Sequence, residues 1–271
     1  MQERTDDTAF RSFTGCGWKF EDGVLMAYSD LTVDDPSFIK RWIQNRRFVD
    51  AVGLLNFDPR KPEIRVLDFG AGDGELIRCL SKHFTVKAWV YEPSPKMIEQ
   101  AKKKLSKLHN VQFSSDINSL ESGFFDFIFC LEVFEHLPDK ETFAALESIS
   151  KLLKDDGEII IGVPHELFLV AFLKGIFRMV RRYGDFDANL KNVIMATLGL
   201  SSRLERPVKQ MSVATPSVCN YHSHHLGFDY RIFEQRIGIY FSIMLKRFSP
   251  APLLGSLLNS EVYFLLKKKN I

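Results

Sequence analysis

The sequence predicts an α/β fold, a mostly parallel sheet with helices on both faces. Three observations carry that prediction. Between residues 64 and 164, short β-rich runs alternate with stretches of helical length, the pattern of consecutive βαβ units. The first of these runs leads straight into Gly70, Gly72 and Gly74, and a helical pattern follows. Glycine is needed where the backbone turns sharply and where a ligand approaches the main chain closely. The chain has 271 residues, 45% hydrophobic and 26% charged, which is ordinary globular usage and excludes a disordered or fibrous protein. That length fits one or two domains.

Residues 1–33 carry no clear pattern. A helix is expected from Asp34 or Asp35, either of which caps it, with Pro36 in its first turn. Phe38, Trp42, Val49, Val52 and Leu55 recur along it at about helical spacing. Residues 56–62 hold two prolines and read as a loop. Strands are expected at 64–69, 86–91, 111–115 and 124–130, the last apolar except for Asp126. Helices are expected at 75–83, 95–108 and 139–153. Asp155, Asp156 and Gly157 read as the stop of the third helix. A buried-type strand at 158–163 follows, ended by Pro164. Beyond Pro164 the rhythm breaks, and residues 165–220 read as helical and then loop-like, with no strand. A helix at 228–237 and strands at 239–248 and 261–268 complete the chain.

Lys and Arg number 36 against 34 Asp and Glu, a formal charge of +2, which gives no support to a general nucleic-acid coat. There are 24 Phe against 3 Trp and 7 Tyr, so much of the aromatic surface has no polar handle and suits a dry core or an apolar pocket. Cys16, Cys79, Cys130 and Cys219 show no paired spacing, so neither a zinc knuckle nor a disulfide framework is expected. Free thiols in a reducing cytoplasm are expected. The start, MQERTDDTAF, has no basic, apolar signal-peptide pattern. The longest apolar run in the middle of the chain, residues 167–173, is far below the roughly 18 residues that span a bilayer.

The strongest motif is VLDFGAGDGEL, residues 66–76. A dinucleotide fingerprint would be GxGxxG, but the sixth position counted from Gly70 is Glu75. A carboxylate there would repel a pyrophosphate at the helix start. The spacing is GxGxG, and Glu92 ends the next strand, close to where a carboxylate meets ribose hydroxyls. On these residues the chain resembles the class I S-adenosylmethionine-dependent methyltransferases, over roughly residues 64–164 and the last two strands. The resemblance implies a Rossmann-like, seven-stranded sheet with an antiparallel last strand, and S-adenosylmethionine as cofactor. It implies that Asp68 helps hold the methionine amino group and that Gly70, Gly72 and Gly74 lie under the methionine and ribose. It implies that Glu92, in VYEPSP with Pro93, accepts the ribose hydroxyls. Asp116 would receive the adenine amino group beside Ile117. FFDFIFCLEVFEHL matches the fourth strand and the loop bordering the methyl group, with Leu131 and Glu132 at its turn. LLKDDGEIIIGVP matches the approach to the fifth strand.

The DNA amine-modifying branch carries Asn or Asp before Pro-Pro-aromatic after the fourth strand. This chain has Leu131-Glu132-Val133-Phe134 and resembles instead the small-molecule branch, including quinone-pathway O-methyltransferases. No DNA partner is expected. In the quinone branch the E-x-x-E-H set is linked to a divalent cation. Glu132, Glu135 and His136 are therefore metal candidates, with helix capping and loop orientation as the other reading; no metal is otherwise expected. NYHSHHLGFDY brings His222, His224 and His225 together before a helix. They read as turn-shaping residues, as metal ligands with Cys219, or as a source of a general base. A positioned imidazole contributes typically about 10²–10⁴-fold when an alcohol must lose its proton. His222, His225 and His165, just after the fifth strand, are the catalytic candidates.

Residues 171–210 carry Lys174, Arg178, Arg181, Arg182, Lys191, Arg203, Arg206 and Lys209 against Asp185, Asp187 and Glu205. Lys174, Arg178 and Arg181 share a helix face. Such a helix lies on an anionic membrane, grips a phosphate, or packs on the sheet with a solvated basic face. The resulting expectation is a helical cap over 1–60 and a methyltransferase domain over 61–271, with an insertion at 165–220 as acceptor lid. The reaction expected is methyl transfer to oxygen of a small or lipid-linked acceptor, such as a sugar, a glycolipid intermediate or a prenylated phenol. The location expected is cytoplasmic, with peripheral membrane contact through 166–182. N-methyl transfer to a small amine, RNA methylation with steep salt dependence, and a silent cofactor-binding partner are the alternatives.

Overall fold

The computed structural model describes residues 47–55, 63–212 and 218–269, and the backbone of 20–21 and 24–25. Most of the helix expected from Asp34, like Cys16 and most of the expected 1–60 cap, lies outside the described residues. Residues 47–52 are helical.

One seven-stranded sheet organises the chain. Its strands are β1 (Arg65–Phe69), β2 (Lys87–Tyr91), β3 (Val111–Ser114), β4 (Phe125–Leu131), β5 (Leu153–Pro164), β6 (Phe241–Ser249) and β7 (Glu261–Lys268). Their spatial order is β6-β7-β5-β4-β1-β2-β3. The five strands β1–β5 run parallel, and β7 is antiparallel to both its neighbours. The expected Rossmann-like architecture with an antiparallel last strand is the one found.

The strands are apolar on both sides because both faces are covered. Leu67, Ile128 and Cys130 enter one core, while Val66, Phe127 and Phe129 enter the other. Helix α1 (Glu75–Leu80) and α2 (Pro95–Lys104) close the second face through Ile77, Leu80 and Ala101. Helix α3 (Asp139–Leu152) closes the first through Leu146 and Ile149. Asp126 is tolerated inside β4 because its carboxylate accepts from the Arg65 amide at 2.9 Å and from Lys154 Nζ at 2.6 Å.

Three local expectations are corrected. No turn separates α3 from β5: the chain passes straight into the strand at Leu153, which is buried and pairs with Phe125. The register with β4 shifts between Phe125 and Phe127, and this irregularity absorbs Asp155–Gly157. Residues 165–220 do contain strand: Val208–Ser212 pairs antiparallel with Val218–His222. Neither VKQMS nor VCNYH alternates apolar and polar residues, so no period-2 signal marked these strands.

The third correction concerns α4 (Phe168–Arg182), which is followed by α5 (Leu190–Thr197). Lys174 and Arg178 of the expected basic face turn inward, whereas Arg181 stays exposed. Buried Glu166 accepts from Lys174 Nζ at 2.9 Å and from Arg178 Nη1 at 2.8 Å, and Asp187 accepts from Arg182 at 2.6 Å. Its apolar residues turn outward, with Leu173 51%, Phe177 58% and Val180 83% exposed. A buried carboxylate needs paired cations, so Glu166 decides which face points in. Helix α6 (Tyr230–Tyr240) packs Phe233 and Ile237 into the first core.

Candidate active site

A cavity of about 560 Å³ opens at the carboxyl ends of β1, β2 and β4, the place where open α/β sheets bind ligands. The size falls within the usual range of ligand pockets, about 300–1,000 Å³.

The loop after β1 forms one wall. The Gly70 and Ala71 amides donate to the Tyr91 carbonyl at 2.8 and 3.1 Å, which folds the loop against the end of β2. Gly70 has φ +75°, and a Cβ there would lie 2.5 Å from the Val133 side chain, so no other residue fits. Gly74 does not line the cavity; its bare backbone lets Leu105 of the α2 end approach. Glu75 has its carboxylate held by Arg78 and Lys104, which keeps it below the ordinary range despite burial.

Glu92 is fixed through both carboxylate oxygens. The Gly72 amide donates to Oε2 at 2.9 Å and the Ser94 amide to Oε1 at 2.8 Å. Burial nevertheless pushes the carboxyl up to about 7. Asp68, at the end of β1, has Oδ2 buried without a hydrogen-bond partner. Burial, then the Glu92 and Asp73 carboxylates, push it up to about 8. Both environments favour a cationic or hydrogen-donating ligand that would stabilise the ionised forms. Pro93, Asp116, Ile117 and Leu131 line the same cavity. Asp116 Oδ1 accepts from the Asn118 amide at 3.0 Å and so caps the turn Ile117–Ser119.

The opposite end is assembled from distant segments. Glu132 sits at φ +57°, a left-handed conformation rare for a side-chain-bearing residue. Its Oε2 accepts from Arg47 Nη2 at 3.0 Å, and Arg47 Nε also donates to Glu261 Oε1 at 3.1 Å. One guanidinium thus bridges the half-buried Glu132 and the buried Glu261. Burial raises both, Glu261 well above its ordinary value.

The histidines separate. His225 lines the cavity, and burial holds it well below its ordinary range. His222 does not line it; its Nδ1 donates to the Pro207 carbonyl at 3.0 Å. His224 Nδ1 lies 3.3 Å from Asp187. His165 is fully buried, its Nε2 donating to the Ser256 carbonyl at 2.9 Å among Tyr230 and Phe248. The E-x-x-E-H set also divides: Glu132 goes to Arg47, whereas Glu135 and His136 meet His225, with one donor atom from each within 4.8 Å of the others. Of the residues implied by the quinone-branch resemblance, Glu135 and His136 fall in this cluster, and Glu132 is paired with Arg47 instead. Cys79, Cys130 and Cys219 are free thiols.

Sequence reasoning missed Arg47, Tyr221, Glu261 and Tyr263, all in the cavity wall. Glu261 carried a usable signal, a lone carboxylate opening the apolar strand EVYFLL. Arg47 and Tyr221 carried none, because only the tertiary fold brings them here.

The methyltransferase domain family model matches residues 41–213. The 2-methyl-6-phytyl-1,4-hydroquinone methyltransferase of Synechocystis sp. is 26% identical over 171 residues, 55% of this chain and 53% of that protein. A ubiquinone biosynthesis O-methyltransferase of Xanthomonas campestris pv. campestris is 27% identical over 111 residues, 37% of this chain and 43% of that one. The chain spans about half the length of the curated relatives it matches. Among solved structures, the magnesium protoporphyrin IX methyltransferase of Synechocystis with bound SAH superposes with TM-score 0.52 at 18% identity, covering 86% of this chain and 88% of that chain. A Pyrococcus horikoshii protein superposes with TM-score 0.55 at 16% identity, covering 89% and 96%. These likenesses show a shared fold. The chain belongs to the methyltransferase domain family.

Proposed function

We propose that this member of the methyltransferase domain family transfers the methyl group of S-adenosylmethionine to an oxygen of a small or lipid-linked acceptor. The observation that carries the reading is Glu92, held by the Gly72 and Ser94 amides beside the glycine loop. A carboxylate fixed through two backbone donors presents its remaining lone pairs to a diol. Glu92 with Pro93 would hold the ribose. Asp68 would take the methionine amino group, and Gly70 and Gly72 of the glycine loop would lie under the methionine and ribose, with Gly74 shaping the turn behind them. Asp116 and Ile117 would border the adenine. Leu131 and Glu132 would border the methyl group.

Most of the rate would come from aligning oxygen, carbon and sulfur in line. His225 is the base candidate that reaches the cavity; burial keeps its ring neutral and able to accept a proton. His165 and His222 are bound to backbone carbonyls and read as positioning groups.

The relatives named for a phytyl hydroquinone and for ubiquinone biosynthesis favour a prenylated phenol over a sugar. The outward apolar face of α4 supports contact with a lipid surface through 166–182, and no described helix is long and apolar enough to cross a membrane. Residues 1–60 are read as a cap and 165–220 as a lid over the acceptor. Incubation with S-adenosylmethionine and a prenylated hydroquinone or catechol should yield an O-methyl ether, seen by mass spectrometry. Methylation confined to amines would refute the acceptor assignment.

A further inference from the structure

We propose that Arg206 is the positioning residue of His225, setting that ring in the cavity through two backbone carbonyls. This role deepens the reading above and rests on it, since that reading makes His225 the proton acceptor.

His225 needs to be placed from outside its own ring. Its Nε2 is buried without a hydrogen-bond partner, so no polar contact at that atom aims it. The ring packs edge-on against His136, with centroids 4.8 Å apart and planes at 72°. The Phe228 amide donates to the His225 carbonyl at 2.9 Å and closes the turn behind it. A base acts only within hydrogen-bond reach of its proton, so the position of this turn decides what His225 can do.

Arg206 fixes that position. Its Nη2 donates to the backbone carbonyl of Glu135 and, at 2.6 Å, to that of His224. The nitrogen carries two hydrogens, one for each carbonyl. Each carbonyl belongs to the residue just before a cavity histidine, His136 in one case and His225 in the other. One rigid, planar group thus sets the spacing between the turn Phe134–His136 and the histidine turn. A second tie joins the same segments: His136 Nδ1 donates to the His222 carbonyl at 2.8 Å.

The surroundings are shaped for this side chain. Gly227 has φ +89°, and a Cβ there would lie 3.0 Å from Arg206 Cγ, so a bare backbone leaves room for the arginine. The Phe228 ring flanks the guanidinium, its centroid 5.9 Å from Cζ. Nε is buried without a partner. Burial brings Arg206 down to about 10, opposed by the carboxylates of Glu135 and then Glu166, so the group keeps its charge at neutral pH. A charged donor makes the shorter and stronger bond to a carbonyl. The chain therefore commits a buried charge to holding two loops together at the acceptor end.

The test uses the full chain, and its first readout needs no acceptor. Diethyl pyrocarbonate ethoxycarbonylates a neutral imidazole nitrogen, releasing ethanol and carbon dioxide, and peptide mass spectrometry reads each histidine separately. Buried Nε2 should make residue 225 slow to react in the wild type. In Arg206→Lys and Arg206→Ala, shown to be folded by circular dichroism, residue 225 should react at least about 10-fold faster, because the turn opens more often. Exposed His83 should keep its rate. The second readout is methyl transfer to a prenylated hydroquinone. Arg206→Lys should lower kcat about 100-fold, the cost of a misplaced reacting group, with affinity for S-adenosylmethionine unchanged. In a His225→Ala background the same substitution should have no further effect, because Arg206 acts through that ring. An unchanged rate at residue 225 in both folded variants would overturn the positioning role. So would an equal loss of kcat from Arg206→Lys with and without His225. If the wild type binds no S-adenosylmethionine, the proposed function falls, and the acylation rates still decide the role of Arg206.

Discussion

The two ends of the cavity are built on different principles. The end proposed to hold the cofactor is shaped by backbone. Its turn is shaped by Gly70, its carboxylate Glu92 is aimed by two amides, and its parts lie between residues 68 and 117. The acceptor end is made of side chains drawn from far apart. Arg47 reaches Glu132 across 85 positions and Glu261 across 214, and His136 meets the His222 carbonyl across 86. A backbone-built end is tied to a short motif. A side-chain-built end is free to change, and on the proposed function acceptor specificity would belong there.

The largest test of this contrast removes a charge under the acceptor end. Glu166 is buried against Lys174 and Arg178, and these cations hold it well below the ordinary carboxylate range despite burial. Glu166→Gln leaves Arg178 with Asp187 Oδ2, at 3.4 Å, as its remaining buried carboxylate, and should cost about 3 kcal/mol, the lower end for a broken buried pair, read by urea unfolding. Cofactor affinity measured where the variant is folded should change little. An equal loss at the cofactor end would show that the two ends are not separable.

A middle-sized effect is expected with pH at the cofactor end. Glu92 and Asp68 are pushed up to about 7 and 8 in the fold. Groups raised in this way stabilise the fold fully below their unfolded values and lose that contribution as pH rises to the folded ones. The ligand-free protein should therefore lose stability between about pH 4 and 8. A cationic cofactor favours the ionised carboxyls, so its affinity should rise over about pH 6–8 with proton release. Calorimetry in two buffers of different ionisation enthalpy reads the released protons; proton uptake would contradict the assignment.

The smallest effect concerns the outer face of α4. Phe177 is 58% exposed, so Phe177→Ser should change stability by no more than about 0.5 kcal/mol. Flotation with anionic vesicles should nevertheless fall several-fold. Unchanged flotation would remove this face from membrane contact.

The same contrast explains what the sequence revealed. The strand, glycine turn and helix at residues 65–80 were legible because each is set by its neighbours, and Glu92 stood at the end of the next strand. The opposite end, with Arg47, Tyr221 and Glu261, was not. Glu261 pointed inward only once β7 was inserted beside β5, and Tyr221 needed a hairpin that resembled loop. Helix α4 was visibly amphipathic, but periodicity does not say which face is buried. The single carboxylate Glu166 turned the basic face inward, and no spacing rule ranks that pair of contacts above apolar burial.

The most direct measurement is calorimetric titration of the full chain with S-adenosylmethionine, repeated on Glu92→Ala. The account predicts one cofactor per wild-type chain and affinity lower by at least about 100-fold in the variant, equivalent to about 2.7 kcal/mol. Equal affinity in the two proteins would contradict it, because the carboxylate set by the Gly72 and Ser94 amides would then have no part in holding the cofactor.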